Sequence, residues 1–557
     1  MKKILALLLA ALLLTGCGST VAEVTTAPTT IPETTAPVPT EPAEEEIAYS
    51  SRFDSVTEIA LSDDGISVNG GEETDAVFTS HDIIYYEDKD TYESGNPYGE
   101  GTDADKHTAE EAAAHTVVNI VKPGAYRITG KLSAGQLRVD LGEDAYEDPD
   151  AVVELILNDA DITCTVAPAI LFLNTYECDG NWSTDTATPD VDTTNAGANL
   201  ILEGSSTVNG SHVAKIFKDK DGEKKLWKQD GAIYSYMSLN VYGPGSLTLN
   251  ADNEGLDTEL HLTIHSGSIW IYSDNDGINT NEDGVSVTTI HGGDLHITAG
   301  LGAEGDGIDS NGYLVINGGT VVSSANPAAD AGLDSDLGSY IHGGTVIAMG
   351  STMDWAESDS KQVTMNLQFA NQQSAGSKIV LTREDGTEIF SFEDDSENAR
   401  NYSGLILSHS AFAQGETYHV FIDGVQMAYT GMDVGGPGGR GMGGGMRPEG
   451  MEMPEGFDPE NFDPQNIPDG EKPQRGFGGG NGQMTPPEGF DGEMPTMPEG
   501  MERPELPEGE TFPEGMAFPE HGFDGRGGEN APTGEASTEF YMNDKVNAFS
   551  GVTAVTE

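Results

Sequence analysis

Residues 291–298 read His-Gly-Gly-Asp-Leu-His-Ile-Thr, and this pattern recurs along the middle of the chain. Related stretches begin at His265, Asn317 and His342, so the four starts are 26, 26 and 25 residues apart. A second motif, a glycine followed by an aliphatic residue and Asp or Asn, alternates with the first and begins at Gly255, Gly277, Gly307 and Gly332. Two interleaved motifs at one period of about 25 residues predict a solenoid.

Alternation of apolar and polar residues assigns the faces of the predicted strands. Three apolar columns recur with the period, namely Ile264, Ile290, Ile316 and Ile341, then Ile269, Leu295, Val321 and Val346, then Ile271, Ile297, Ser323 and Ala348. Stacked coils of a parallel β-helix place such columns about 4.8 Å apart per step, which gives a continuous aliphatic interior. Helical periodicity is absent from this region, so the sequence predicts an all-β protein built on a parallel β-helix.

The charge balance limits the partners. The 557 residues include 94 acidic and 26 basic side chains, a formal net charge of −68. Nucleic acids and anionic membranes bind through basic patches, so the charge disfavours both and favours cations.

The first residues resemble a bacterial lipoprotein signal. Lys2 and Lys3 precede an apolar run too short to span a bilayer, which ends in Leu14-Thr15-Gly16-Cys17. We predict a signal peptide over 1–16, lipidation of Cys17 and a Thr/Pro-rich linker over 17–47, which together anchor an extracytoplasmic protein at the cell surface. Cys164 and Cys178 remain; they could form a disulfide, but two cysteines alone do not establish one.

The remaining chain divides by composition. We predict an N-terminal cap region over 48–120, the parallel β-helix over 121–352, a small β domain over 353–430 and a terminal strand segment over 536–557. Between the last two, residues 431–535 form a Gly/Pro/Met/Glu-rich segment with six copies of Pro-Glu-Gly. No regular core can come from that composition, so we predict disorder there.

The second motif carries oxygen-bearing side chains. If the aliphatic residue of each motif points inward, alternation turns the residue that follows it outward, for example Asp257. The residue two positions further along, for example Glu259, then points outward as well. Asp276 and Asp306 add carboxylates at the corners. We call this set the acidic ladder and predict it as the metal site: Asp257, Glu259, Asp276, Asn279, Asn281, Asp306, Asp309, Asn311, Asp334 and Asp336. Hard oxygen ligands without paired Cys or closely spaced His favour Ca²⁺. The alternative is that these are solvated turn residues.

Outward aromatic side chains are candidates for contact with sugar rings. Trp270 and Tyr272 flank the inward Ile271, and His296 lies one period above Trp270. Packing against a neighbouring loop is an equally good explanation. The corner histidines His265, His291 and His342 are assigned no function.

The motifs together resemble a known family. Gly243-Pro244-Gly245-Ser246, Glu254-Gly255-Leu256-Asp257 and Asp306-Gly307-Ile308-Asp309 resemble the secreted carbohydrate-binding domain family. The resemblance covers roughly residues 58–424. It implies a calcium-containing right-handed β-helix, similar in shape to pectate lyases, that binds cellulose or acidic plant polysaccharides. Asn279 departs from this pattern, where an acidic ligand is expected.

Three function classes stay open at this point. The first is a polysaccharide-binding protein without catalysis, for which we predict no catalytic residue. The second is a polysaccharide lyase or glycoside hydrolase on the same scaffold; a lyase needs a basic residue, and no Lys or Arg occurs between Lys228 and Lys361. The third is an adhesin with a protein partner.

Overall fold

The computed structural model describes residues 49–87, 101–181, 183–220, 223–351, 354–396, 398–434 and 536–555. All of them belong to one compact unit, residues 45–557. The predicted signal peptide, the linker with Cys17 and nearly all of the predicted disordered segment lie outside the described residues. Across the described ranges the chain is nearly all β, as the sequence predicts.

The repeat region and the segment before it form strands β1 to β27. Their bounds are β1 Val56–Ser62, β2 Gly65–Val68, β3 Val77–Ser80, β4 Thr116–Ile120, β5 Gly124–Leu132, β6 Gly135–Asp140, β7 Val153–Thr163, β8 Ile170–Asn174, β9 Ala198–Glu203, β10 Ser205–Gly210, β11 Val213–Lys220, β12 Glu223–Gln229, β13 Gly231–Ser235, β14 Leu239–Tyr242, β15 Ser246–Ala251, β16 Glu254–Thr258, β17 Leu262–Ile264, β18 Ser268–Ser273, β19 Ile278–Thr280, β20 Val287–Ile290, β21 Asp294–Thr298, β22 Ile308–Ser310, β23 Tyr313–Ile316, β24 Thr320–Ser324, β25 Asp334–Ser335, β26 Gly338–Ile341 and β27 Thr345–Gly350.

Most of these strands pair in three parallel stacks that the chain visits in turn, whereas β1 with β2, β3 with β4 and β11 with β12 pair antiparallel. Stack one contains β9, β14, β17, β20, β23 and β26. Stack two contains β10, β15, β18, β21, β24 and β27. Stack three contains β4, β6, β8, β13, β16, β19, β22 and β25. Because β4 already belongs to stack three, the strand pairing runs without a break across the predicted boundary at residue 120.

The predicted aliphatic columns are present. Ile264 pairs with Ile290 and then with Ile316 and Ile341, and all four side chains are buried. The columns that begin at Ile269 and Ile271 follow the same register through stack two. The main hydrophobic core of the described residues runs along these columns.

Glycines near the starts of the strands in stack three leave room for the neighbouring strand. A Cβ on Gly277 would lie 2.2 Å from Cγ2 of Ile297 and 2.6 Å from the carbonyl oxygen of Gly307. A Cβ on Gly307 would meet the carbonyl oxygen of Gly332 at 2.4 Å. The Gly-aliphatic-Asp/Asn motif therefore needs glycine for close approach of neighbouring backbones.

A second core covers the C-terminal end of the stacks. Its strands are β28 Thr364–Gln373, β29 Ile379–Arg383, β30 Glu388–Phe392, β31 Tyr402–Ser408, β32 Thr417–Ile422, β33 Val425–Ala428, β34 Gly431–Val434, β35 Phe540–Tyr541 and β36 Val546–Ala554. Strand β31 pairs antiparallel with β27 and joins this sheet to stack two. Strand β36 pairs parallel with β28 and antiparallel with β34.

Strand β34 corrects one predicted boundary. Residues 431–434 were expected to begin the disordered segment, but they pair with β36, as Gly431 with Ser550. A Gly-rich composition alone could not reveal that the chain end supplies a partner strand.

Helix is scarce in the described residues. Helix α1 spans Ala109–Ala113 and begins at a capping box between Thr108 and Glu111; a 3₁₀ helix spans Glu143–Glu147. No helix in the described part of the chain has the length and apolar character needed to cross a membrane. Cys164 and Cys178 are both free thiols.

Candidate functional site

Stack three aligns the first column of the acidic ladder. Asp257 pairs with Asn279, Asn279 with Asp309, and Asp309 with Asp334. The residues just before them, such as Ile278 and its neighbours in the stack, are buried in the core. Strand alternation therefore turns four consecutive oxygen-bearing side chains to the other side of the stack.

This column is much less exposed than expected. Asp257 is 0% exposed and Asn279 6%. Lys228, near the end of strand β12, reaches this face, where its Nζ donates to Oδ1 of Asn281 at 2.6 Å. The hydroxyl of Tyr234 donates to Oε1 of Glu259. Sequence alternation gives the side of the stack on which a residue lies, but not what covers that side.

Three carboxylates meet at the N-terminal end of the ladder. One oxygen each from Asp230, Glu254 and Asp257 lies within 4.8 Å of the other two. We call these three residues the carboxylate cluster. The backbone N–H of Glu254 donates to the carbonyl oxygen of Asp230 at 3.2 Å, which holds the two residues side by side.

Several oxygens at the carboxylate cluster are buried without a hydrogen-bond partner. They are Oε2 of Glu254, Oδ2 of Asp257 and Oδ1 of Asn279. The remaining polar atoms are satisfied: Nδ2 of Asn279 donates to Oε1 of Glu254 at 3.2 Å, and Nδ2 of Asn281 donates to Oδ1 of Asp257. An unpartnered buried oxygen is costly, so three of them on neighbouring residues favour a cation at this position.

The electrostatics of the carboxylate cluster are unfavourable without such a partner. Burial, followed by repulsion from Glu254, raises the pKa of Asp257 well above its usual value. Burial and the charge of Asp230 raise the pKa of Glu254. Burial alone would lower the pKa of Lys228, but the carboxylates of Asp230, Glu254 and Asp257 outweigh it and hold that pKa well above the usual value.

A second group of carboxylates continues along the ladder. Oδ1 of Asp276 accepts from the backbone N–H of Asp306 at 2.7 Å, and Oδ1 of Asp306 accepts from that of Ala331 at 2.6 Å. Burial, with repulsion from Asp334, raises the pKa of Asp306 to about 8 and raises that of Asp309 as well. These carboxylates lie just before or within strands β19 and β22, one and two strands further along stack three than Glu254 and Asp257 in β16.

The far end of the ladder is more open. Burial and repulsion from Asp334 raise the pKa of Asp336 to about 6. Nδ2 of Asn311 donates to the carbonyl oxygen of Asn281 at 2.8 Å. Asp354, which follows the repeats, accepts from the hydroxyl of Ser335 at 2.8 Å, and its pKa is raised to about 7 by burial and by Asp334.

The donor set of the carboxylate cluster fits a hard divalent cation. Calcium takes oxygen ligands at about 2.3–2.6 Å, so oxygens up to roughly 4.8 Å apart can share one ion. The three oxygens meet that limit. Carboxylate and amide oxygens, with neither sulfur nor imidazole among them, favour Ca²⁺ over Zn²⁺ or Cu²⁺.

The sequence prediction missed several of these residues. Asp230 and Glu254 were not in the predicted metal set, although Asp230-Gly231 and Glu254-Gly255 repeat the acidic-Gly pair of Asp276-Gly277. That pair was therefore an available signal. Lys228 gave no signal, because its contacts depend on where the β11–β12 insertion lies relative to stack three.

The predicted sugar-binding aromatic residues lie together on stack two. Trp270 pairs with His296 in the strand register, and their rings stack with centroids 5.6 Å apart and planes 9° apart. Nε2 of His296 also lies 3.1 Å from Oδ1 of Asp294. One face of the indole is thus covered by imidazole. Tyr272 lies two residues along the same strand and is half-buried.

A cavity of about 280 Å³ lies between the loop after β8 and the loop before β20. It is lined on one side by Cys178, Asp179, Asn181 and Asp190 and on the other by Val285. None of the ladder residues lines it. Its lining is acidic, but none of its lining side chains has an unsatisfied buried polar atom, so it is a weaker cation site than the carboxylate cluster.

The fold is thus all-β, with stacked parallel strands, and its candidate site is the largely buried acidic ladder. A sequence model described as carbohydrate-binding domain-containing protein matches residues 114–405, more than half of the chain. The chain therefore belongs to this carbohydrate-binding family. The family is named for binding and not for catalysis, in agreement with the prediction of a non-enzymatic protein.

Two relatives extend the comparison. A carbohydrate-binding domain-containing protein of Acetivibrio thermocellus is 28% identical over 174 residues, which are 30% of this chain and 51% of that protein. The chain thus spans about half the length of this curated relative. A polysaccharide lyase-like protein from C. thermocellum, solved as a gadolinium derivative, is 19% identical, with a TM-score of 0.30 over 52% of this chain and 93% of its own.

Proposed function

We propose that this chain is a cell-surface lipoprotein that binds polysaccharide through a calcium-containing right-handed parallel β-helix. The observation that carries the proposal is the set of three unpartnered buried oxygens at the carboxylate cluster, on Glu254, Asp257 and Asn279. The three parallel stacks, which the chain visits in turn, support the β-helix. Family membership supports the carbohydrate ligand.

The carboxylate cluster is proposed to hold the calcium ion, with Asn279 as an additional ligand. The carboxylates around Asp276, Asp306 and Asp309 are proposed as a second binding region. A bound calcium ion would supply positive charge that offsets the mutual repulsion of these carboxylates and attracts the carboxylate of an acidic sugar.

The ligand is proposed to be an acidic or cellulosic plant-wall glycan. A chain with a net charge of −68 repels a polyuronate at long range, so binding needs a cation between the two. Trp270, Tyr272 and His296 are proposed to contact sugar rings. His296 covers one face of Trp270, and Thr248 is the in-register neighbour on the other side, so the outer edge of the indole is proposed to make this contact.

The chemistry of Lys228 argues against the lyase alternative. A lyase base must be neutral to remove the proton beside a uronate carboxylate. In the calcium-free chain the carboxylates around Lys228 hold its pKa high, so its ammonium stays protonated at neutral pH. Lys228 is therefore poorly suited as a base, and we propose a binding protein without catalysis.

The anchor rests on sequence alone, because Cys17 lies outside the described residues. We propose that lipidated Cys17 and the linker over 17–47 tether the protein to the cell membrane. Expression with and without Cys17→Ser, followed by membrane fractionation and mass spectrometry of the N-terminal peptide, tests this part separately. Persistence of the variant in the membrane fraction would contradict it.

The binding proposal is tested by retention of the full chain, kept in detergent, on insoluble cellulose and on polygalacturonate gel. Each measurement is made with calcium and with a chelator, and released sugar is assayed in the same samples. Retention that requires calcium and releases no sugar is the expected result. Release of unsaturated or reducing sugar would favour the enzyme, and absence of both retention and product would favour the adhesin.

A further inference from the structure

Lys228 lies against the carboxylate cluster at the end of strand β12. Its Nζ is 2.9 Å from Oδ2 of Asp230 and donates to Oδ1 of Asn281 at 2.6 Å. The hydroxyl of Tyr236 donates to the carbonyl oxygen of Lys228 at 3.1 Å, which fixes the backbone at this point. The ammonium therefore joins the end of β12 to Asn281 of the acidic ladder.

Lys228 neutralises the carboxylate cluster only in part. It contacts Asp230, whereas Oε2 of Glu254 and Oδ2 of Asp257 stay without a partner although both are buried. One ammonium offsets only one of three carboxylate charges, so a cation of higher charge can compete with it for the cluster. The lysine is thus a partner for the carboxylate cluster but an incomplete one.

Asp230 is shared between two possible partners. It belongs to the three carboxylates whose oxygens can meet at one ion, and it also pairs with Lys228. An ammonium and a divalent cation that share one carboxylate lie within a few ångströms and repel each other strongly at the dielectric constant of a half-buried site. The Lys228 side chain is 21% exposed, so it has a path to solvent when it leaves Asp230.

We propose that Lys228 is a resident counter-ion of the carboxylate cluster that a divalent cation must displace, so that this lysine weakens the cation affinity of the site. The proposal rests on the proposed function, in which the cluster binds calcium. Its consequence is that the site fills at high external calcium and holds its lysine at low calcium. Calcium concentration would then control whether the cluster is ready to bind an acidic glycan.

The first test is calcium titration of the full chain by isothermal calorimetry. Lys228→Met keeps the apolar stem and removes the charge, and it is expected to bind calcium roughly tenfold or more tightly than the wild type, because a cationic competitor is lost. Lys228→Arg keeps the charge and is expected to stay near the wild-type affinity. Lys361→Met, an exposed lysine outside the acidic ladder, is the matched control and is expected to change nothing.

The second test uses the wild-type protein and does not depend on how a variant folds. Reductive methylation followed by peptide mass spectrometry measures the reactivity of each lysine amine, with Lys361 as an internal reference. Lys228 is expected to react several-fold faster in calcium than in chelator, because displacement exposes its amine. Equal or lower reactivity in calcium would overturn the displacement.

The outcomes separate this inference from the function on which it rests. Calcium binding by the wild type with unchanged or weaker affinity in Lys228→Met overturns the role of Lys228 and leaves the calcium site intact. Absence of calcium binding by the wild type overturns both. Tighter binding in Lys228→Met together with faster labelling of wild-type Lys228 supports both.

Discussion

Replacing Asp257 with asparagine should stabilise the protein in chelator and remove most of its response to calcium. The Asp257 side chain is fully buried, and its Oδ2 has no hydrogen-bond partner. Asparagine has the same shape. Its amide oxygen can accept from Asn281 as Oδ1 does now, and its amide nitrogen can donate to the carboxylate of Glu254.

The size of the effect follows from the geometry of the carboxylate cluster. Two unit charges within 4.8 Å repel by about 3 kcal/mol at an effective dielectric constant of ~20. Because Asp257 can take up a proton and lose its charge, this repulsion sets the upper limit of the effect. We therefore expect the variant to unfold with a free energy up to about 3 kcal/mol higher than the wild type in chelator. At a calcium concentration of 100 times the dissociation constant, the wild type gains about 2.7 kcal/mol, and the variant, with one ligand lost, gains much less.

Urea unfolding followed by tryptophan fluorescence measures both quantities, at pH 8 with chelator and with calcium. Asp64→Asn, which removes an exposed carboxylate in the turn between β1 and β2, is the control for the change in net charge. The reasoning would be refuted if Asp257→Asn were less stable than the wild type in chelator, or if calcium stabilised both proteins equally.

Three further results are expected. In chelator, the free energy of unfolding should fall as pH rises from about 4 to about 8. The folded-state pKa of Asp306 is raised from 3.8 to about 8, so the contribution of this group to stability is fully present below the lower pH and lost as pH passes the upper one. Urea midpoints measured across this range should show the fall in chelator and no fall when calcium is saturating. Gly307→Ala places a Cβ 2.4 Å from the carbonyl oxygen of Gly332 and should lower the free energy of unfolding by about 1–3 kcal/mol. In the control Gly71→Ala, the new Cβ is 3.5 Å from its nearest contact, the carbonyl oxygen of Val68, and the free energy of unfolding should change little. Equal losses in the two variants would contradict the close-packing argument. Trp270→Ala should weaken retention on polygalacturonate by roughly two- to tenfold, the range expected for one aromatic contact, while Tyr146→Ala, an exposed aromatic residue outside the stacks, should leave it unchanged.

The repeat carries most of the information about the fold that can be taken from the sequence. The column through Ile264, Ile290, Ile316 and Ile341 follows from spacing alone, because strands in register must align residues separated by one period. The pairing of Asp257 with Asn279 and of Asp309 with Asp334 follows in the same way. The parallel β-helix that we propose is an interpretation of these alignments.

The surroundings of the ladder could not be predicted from the period. Strands β11 and β12 interrupt the repeat, and the position of Lys228 depends on the path of that segment back to β13. Strand β34 is a similar case, because its partner β36 lies more than 100 residues further along the chain. Contacts made by irregular insertions have no periodic signal.

The most direct test of the account is a crystal structure of the chain grown with calcium and a galacturonate oligomer, in which the ion is located by anomalous scattering. The account predicts an anomalous peak within about 2.3–2.6 Å of carboxylate oxygens of Asp230, Glu254 and Asp257, with a sugar carboxylate on the same ion and Lys228 turned away from Asp230. A carboxylate cluster without a peak, or an oligomer bound at a surface remote from it, would contradict the account.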